Sequence, residues 1–197
     1  MPDRSAVGVA LSAPLAKRVI SAVVLIPLVG VAVYFGSYTL LSFVLLVGLL
    51  AGYEYLTLLR NRELAPSYVL TITLIILLIL DAQWPTWGVM PFALLWIPLL
   101  ALTIEVFHGN APNSLYSWGL ATAGGVYIGY CLSFFIRLRG VNTGLYWLTL
   151  ALVGTWIADT GAYAVGRRIG KHPFFPKISP QTTREGAVGG IVSGVLA

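Results

Sequence analysis

The sequence predicts an all-α fold, a polytopic integral membrane helical bundle of about six spans plus a truncated seventh, on three observations. Only 10% of the 197 residues are charged and 58% are hydrophobic, with a mean hydropathy of +0.87; an ordinary soluble domain has about 25% charged and 45–50% apolar residues. The 19 charges (12 Lys and Arg, 7 Asp and Glu) leave long stretches empty: Val19–Tyr53, Leu64–Leu80, Ala82–Ile104 and Gly140–Ala158 have none, and Val106–Ile136 has only His108. Runs such as LLSFVLLVGLLAGY and TITLIILLIL lack the dyad alternation of a membrane β-barrel. Disordered, collagen-like and water-soluble classes are excluded, and a single Cys excludes a disulfide framework or a CxxC site.

Each charge-free stretch is assigned to helix because about 20 apolar residues cross a hydrocarbon core about 30 Å thick. An Asp, Lys or Arg at mid-membrane costs about 2.5–3.5 kcal/mol, so the charges mark the ends. The first two spans divide at Gly36-Ser37 into Val19–Phe35 and Tyr38–Leu59. A short third covers Ser67–Leu80, and a fourth, Val89–Phe107, follows the Trp84-Pro85-Thr86-Trp87-Gly88 turn. The fifth is Leu115–Ile136 and the sixth Leu145–Val165. A seventh starts near Gly186 and is truncated at Ala197, because twelve residues at about 1.5 Å each do not cross a bilayer.

Four regions follow: residues 1–18 as a cytoplasmic N-terminal segment, 19–165 as the transmembrane region, 166–185 as a basic cytoplasmic loop, and 186–197 as the truncated span. Lys17, Arg18, Arg60, Arg62, Arg167, Arg168, Lys171, Lys177 and Arg184 fall on one side if the N-terminus is inside, and only Arg137 and Arg139 fall on the other. The six Trp residues lie near span ends, as belt residues do. Gly125-Val-Tyr-Ile-Gly129 and Gly190-Ile-Val-Ser-Gly194 have the small-xxx-small spacing of closely packed helices.

Polar chemistry gathers in one place. Asp159–Gly186 holds seven of the 19 charges, five basic and two acidic, with His172, three Pro and a run of hydroxyls. Asp159 sits inside the apolar pattern of the sixth span, where an ionisable group points to function; the competing reading is a helix-end carboxylate facing interfacial water. At helical spacing Asp159, Tyr163, Gly166 and Gly170 share a face, with Arg167 and Lys171 as a cationic edge. Glycine gaps, a carboxylate and cations suit a phosphate-rich ligand. Positive-inside anchoring on anionic lipid explains the cations alone.

Gly166-Arg-Arg-Ile-Gly170-Lys171 is one residue short of a P-loop, and no strand precedes it. His108 and His172 are too isolated for a metal pair and suit solvated loop positions. Glu54 and Glu105 suit interfacial water or a polar cavity. Thr182 and Glu185 have capping-box spacing before the apolar run.

Asp159-Thr160-Gly161-Ala162-Tyr163, Gly166-Arg167, Gly170-Lys171-His172 and Ser179-Pro180 through Glu185-Gly186 resemble the phosphatidate cytidylyltransferase (CDP-diacylglycerol synthase) family over Trp156–Gly190. Glu54-Tyr55 with Leu58 resembles its weaker N-terminal feature. The resemblance implies a multi-pass, usually dimeric enzyme of the inner or plasma membrane with its active face cytoplasmic. Its reaction joins CTP and phosphatidic acid into CDP-diacylglycerol and pyrophosphate with Mg2+. The partners so implied are CTP, phosphatidate, the lipid bilayer and a second copy in a homodimer, with no nucleic acid. By resemblance, Asp159, Lys171 and Ser179 are catalytic, and Thr160, Tyr163, Gly166, Arg167, Gly170, Lys177, Pro180, Thr183, Glu185 and Gly186 bind substrate. Where the family has SPKKT, this chain has Ser179-Pro180-Gln181-Thr182-Thr183, and the family's metal-binding aspartates are expected beyond Ala197. The 197-residue chain alone is therefore expected to be weak or inactive. A degenerate, non-catalytic paralogue or subunit that binds anionic lipid or nucleotide is the alternative.

Overall fold

The computed structural model describes residues 23–108, 113–175 and 179–196. The chain divides into two compact units, Met1–Val141 and Asn142–Ala197. The first contains α1 (Val23–Phe35), α2 (Ser37–Arg60), α3 (Tyr68–Gln83), a 3-10 turn at Pro85–Trp87, α4 (Val89–His108) and α5 (Ser114–Gly140). The second contains α6 (Gly144–Ile169), strands β1 (Pro173–Phe175) and β2 (Ser179–Thr183), and α7 (Arg184–Leu196). Among the described residues α2, α4, α5 and α6 are long and apolar enough to cross a membrane, while α1 and α3 are shorter. The protein is a multi-pass helical membrane protein, as its composition predicts.

α3 is the centre of the first unit. Its 16 residues reach only about 24 Å, yet Leu74, Ile75, Leu78 and Ile79 are all but fully buried. It is short because protein, rather than lipid, surrounds it. Lipid does not drive apolar helices together, so close approach rests on small residues. α5 runs parallel to α3: Thr71 Oγ1 donates to Ala121 O at 3.0 Å, Leu74 lies over Gly125, and Ile75 and Leu78 over Gly129. A Cβ on Gly129 would stand 2.9 Å from the Ile75 Cα. α2 runs antiparallel to α3 in the same manner, Gly48 meeting Ile79 and Gly52 meeting Ile75 and Ile72. The Tyr55 ring fills the space beside Gly124, and its hydroxyl donates to Leu120 O at 2.9 Å.

The two arginines that break the charge asymmetry have structural partners. Arg137 Nη2 lies 2.8 Å from Asp81 Oδ2, with the Asp81 side chain only 5% exposed, and the Met90 N–H donates to Asp81 Oδ1 at 2.9 Å. Arg139 donates to the Val33 and Tyr34 carbonyls at 3.0 and 3.3 Å. These are two of the carbonyls that the end of α1 leaves without helical partners. Its guanidinium also packs on Gly36, whose φ of +59° permits the one-residue turn into α2. The pair thus joins helices at their ends, a role that charge counting does not reveal.

The expected 166–185 loop differs from the observed chain path. α6 continues to Ile169, and β1 and β2 pair antiparallel as a hairpin, Pro173 opposite Thr183 and Phe175 opposite Ser179. Pro173 occupies the first position of its strand, where a missing N–H is tolerated.

Arg137→Met leaves the Asp81 charge buried without its cation and is expected to cost about 3 kcal/mol. The double substitution Asp81→Leu/Arg137→Met recovers most of that loss, as measured by denaturant unfolding in detergent.

Candidate functional site

The segment singled out by its charges lies wholly within the second unit. α6 and α7 run antiparallel at close range. A Cβ on Gly186 would lie 2.9 Å from Ala162 O and 3.1 Å from the Gly166 Cα. One on Gly190 would lie 2.9 Å from the Ala162 Cβ, and one on Gly189 would lie 2.6 Å from the Val165 Cβ. Gly194 faces Ala158. The Gly190–Gly194 spacing thus packs inside one chain.

This packing splits the face expected to carry Asp159, Tyr163, Gly166 and Gly170. Ala158, Ala162 and Gly166 turn toward α7. One step round the helix, Asp159, Tyr163 and Arg167 form an exposed row with intervals of four. The volume beside Gly166, Gly170 and Gly186 is filled by the Thr183 side chain and by facing backbone, so these glycines bring backbones together and leave no open gap. Tyr163 and Arg167 are joined: Arg167 Nη1 donates to Tyr163 Oη at 2.9 Å and its Cζ lies 5.9 Å from the ring centroid. Thr160 donates to Trp156 O on its own helix at 2.7 Å. Asp159 is exposed and has no hydrogen-bond or ion-pair partner among the described residues.

The hairpin folds Lys171 and His172 back beside the start of α7. Arg184 N–H donates to His172 O at 2.9 Å. Glu185 Oε2 accepts from the Lys171 and His172 backbone N–H groups at 3.2 and 3.3 Å, and Glu185 Oε1 lies 2.6 Å from His172 Nδ1. The His172 ring hydrogen bond first, and the surrounding backbone N–H groups after it, hold the Glu185 carboxyl down to about 2 from an ordinary 4.5. His172 is thus paired with Glu185 while its side chain stays 72% exposed, as expected of a solvated loop histidine. The cap is also displaced: Thr183 Oγ1, not Thr182, accepts from the Gly186 N–H at 3.2 Å. Glu185 is thereby freed to bind the hairpin, while Thr182 Oγ1 pairs with Ser179 Oγ at 2.5 Å.

The Lys171 side chain is exposed beyond the end of α6, and the Arg168 and Arg184 side chains are exposed as well. Lys177 lies outside the described residues; Pro180 stands in β2. Among the described residues no three His, Cys, Asp or Glu side chains gather to hold a metal ion. Magnesium takes six oxygens in a near-octahedral array. Asp159 is one donor, so the described residues do not by themselves fit that ion.

Residues 16–197 match the Cytidylyltransferase family. This chain belongs to that family. Among curated relatives, the phosphatidate cytidylyltransferase of Bacillus subtilis (strain 168) is 39% identical over 99 residues, covering 50% of this chain and 36% of the relative. Those of Staphylococcus haemolyticus (strain JCSC1435) and Staphylococcus epidermidis (strain ATCC 12228 / FDA PCI 1200) are 27% and 30% identical over 163 residues, each covering 82% of this chain and 62% of the relative. The chain thus spans less than two thirds of the length of these relatives. No solved structure matches it.

The family match includes both units, whereas the motif residues lie in the second. His172 and Glu185 are 13 residues apart, and their pairing was open to inference from the hairpin. The Pro173–Thr183 register sets His172 opposite Arg184 and so brings the adjacent Glu185 within reach of it. The Tyr163–Arg167 bond follows from an i, i+4 spacing.

Two outcomes are expected. Gly186→Val forces α7 off Ala162 and is expected to destabilise the pair by about 1–3 kcal/mol, seen as faster amide exchange in both helices. Because the folded-state Glu185 pKa is depressed, its contribution is present above about pH 4.5 and is lost as pH falls toward about 2. Protection of the Lys171 and His172 amides, normalised to intrinsic exchange, should be lost over that range. In Glu185→Gln it should already be weakened at neutral pH.

Proposed function

We propose that the protein transfers a cytidylyl group from CTP to phosphatidate, releasing pyrophosphate and forming CDP-diacylglycerol. One observation carries the reading. Asp159, Arg167, Arg168 and Lys171 are exposed on and just beyond the end of one apolar helix, within the stretch that matches a cytidylyltransferase family. The names of the relatives favour this enzymatic reading over a non-catalytic subunit.

The chemistry follows from the groups present. A phosphatidate phosphate oxygen attacks the α-phosphorus of CTP; a new P–O bond forms, and the bond to the β-phosphate oxygen breaks as pyrophosphate leaves. Charge on the transferring and leaving phosphates is offset by Lys171 as a point charge and by Arg167 as a planar fork. Tyr163 holds the Arg167 guanidinium through one N–H and leaves the others for phosphate. Glu185 fixes the Lys171 backbone, and Thr183, with Gly166, Gly170 and Gly186, lets the hairpin sit close to α6. Ser179, oriented by Thr182, and Pro180 stand in the hairpin, and Lys177 joins them as a substrate-binding residue by its place in the motif alone. Asp159 offers one oxygen donor on the exposed row, and Mg2+ carried with the nucleotide would add charge neutralisation that these residues do not themselves provide. We place this face on the cytoplasmic side, where the basic residues accumulate. A lipid substrate entering from the bilayer accounts for a site at the end of a span. CTP, phosphatidate and the bilayer are the partners, and a homodimer is the assembly.

Full-length protein in mixed micelles with magnesium, CTP and phosphatidate is expected to release pyrophosphate. Lys171→Ala is expected to lower kcat/KM about ten- to a hundredfold, with Lys171→Arg in between. No product from the wild type, or an unchanged kcat/KM in Lys171→Ala, overturns the reading.

A further inference from the structure

The first unit holds a cavity of about 430 Å³ between α3, α4 and α5, within the size range of small-ligand sites. Its lining is graded. Ala65, Ser67 and Glu105 stand at the end of the unit where α3 begins and α4 finishes, while Leu70, Ile97 and Ala101 line the depth. Leu100 and Ile104, also in the lining, are 63% and 52% exposed, so the opening faces sideways from helices that lie in the bilayer. An occupant therefore arrives from the membrane, with an apolar tail for the depth and a polar head at the rim.

The rim selects that head. The neighbouring polar groups carry no charge: Ser67 Oγ accepts from the Leu70 N–H and keeps its own O–H to donate, the Ala65 N–H donates to Ser117 Oγ, and the Thr73 hydroxyl also lines the cavity. Trp118, on the wall, gives its indole N–H to Pro98 O at 3.1 Å. Glu105 is half-buried, has no hydrogen-bond or ion-pair partner among the described residues, and no Lys, Arg or His lines the cavity. A phospholipid head without a cation of its own would set its phosphate beside this carboxylate with nothing to offset either charge. An ammonium would complement it.

We infer that this cavity is a binding site for a zwitterionic phospholipid with a primary ammonium head, one acyl chain lying along Leu70, Ile97 and Ala101 and the ammonium meeting Glu105. It is a lipid site separate from the anionic chemistry proposed on α6, and it stands on the lining of α3–α5 alone.

The test uses full-length protein incubated with vesicles of phosphatidylcholine containing equal amounts of phosphatidylethanolamine and phosphatidylglycerol, then extracted in mild detergent. Retained lipid is quantified by mass spectrometry. Wild type is expected to retain phosphatidylethanolamine over phosphatidylglycerol by about threefold, the scale of a partly exposed ion pair. Glu105→Gln keeps total retained lipid but brings the ratio to about one, and Ala101→Phe, which fills the depth, loses the bound lipid. Equal retention of the two lipids by wild type, or a preference that survives Glu105→Gln, overturns the proposal. The Glu105→Gln comparison decides it even where Ala101→Phe fails to fold.

Discussion

Close approach of helices through residues that have almost no side chain is the constraint on which the rest of this protein depends. In a bilayer, apolar side chains gain nothing by leaving lipid for one another, so contact must come from packing and from a few polar links. Gly125 and Gly129 admit α3 against α5, Gly48 and Gly52 admit α2 against α3, and Gly186, Gly189 and Gly190 admit α7 against α6. At each crossing a Cβ would fall inside ordinary contact distance of a neighbouring side chain or backbone atom. The polar links then sit at the ends of these contacts. Asp81 with Arg137 links the first unit, and Thr183 and Glu185 link the second.

In the second unit that arrangement has chemical consequences. Because α7 starts directly under the end of α6, Glu185 reaches the two backbone amides that follow the helix, and the position of Lys171 is set by a carboxylate 14 residues further along the chain. Thr183 closes the same corner by capping α7 and occupying the space beside Gly166 and Gly170. Residues that resemble ligand contacts in the motif therefore divide by position. Asp159, Tyr163, Arg167 and Lys171 are exposed, whereas the glycines, Thr183 and Glu185 hold the frame that presents them.

The helical bundle was legible in the sequence because charge is excluded from hydrocarbon at a cost of kilocalories per residue, so span ends announce themselves. The Gly125–Gly129 and Gly190–Gly194 spacings likewise pointed to close helix contact, though not to which helices meet. Other features were hidden by the same reasoning. Asp81 reads as the charge that ends a span until its partner 56 residues away is known, and Arg137 and Arg139 read as violations of charge asymmetry. In the motif segment, spacing alone put Gly166 and Gly170 on an open face, since periodicity says which residues share a side of a helix but not what covers it. The hairpin shifted the cap from Thr182 to Thr183 because helix α7 starts at Arg184, two residues before the apolar run. Family membership came from local motif chemistry, whereas the working geometry came from contacts between distant parts of the chain.

On the proposed function, close α6–α7 packing, and not the cations alone, makes the phosphate-binding face. Calorimetric titration of CTP into full-length wild type and into a Gly186→Ala variant that retains every charged residue tests it most directly. Measurably weaker CTP binding in the variant, with its helical content unchanged, is the expected result. Equal affinity in the two proteins would contradict it.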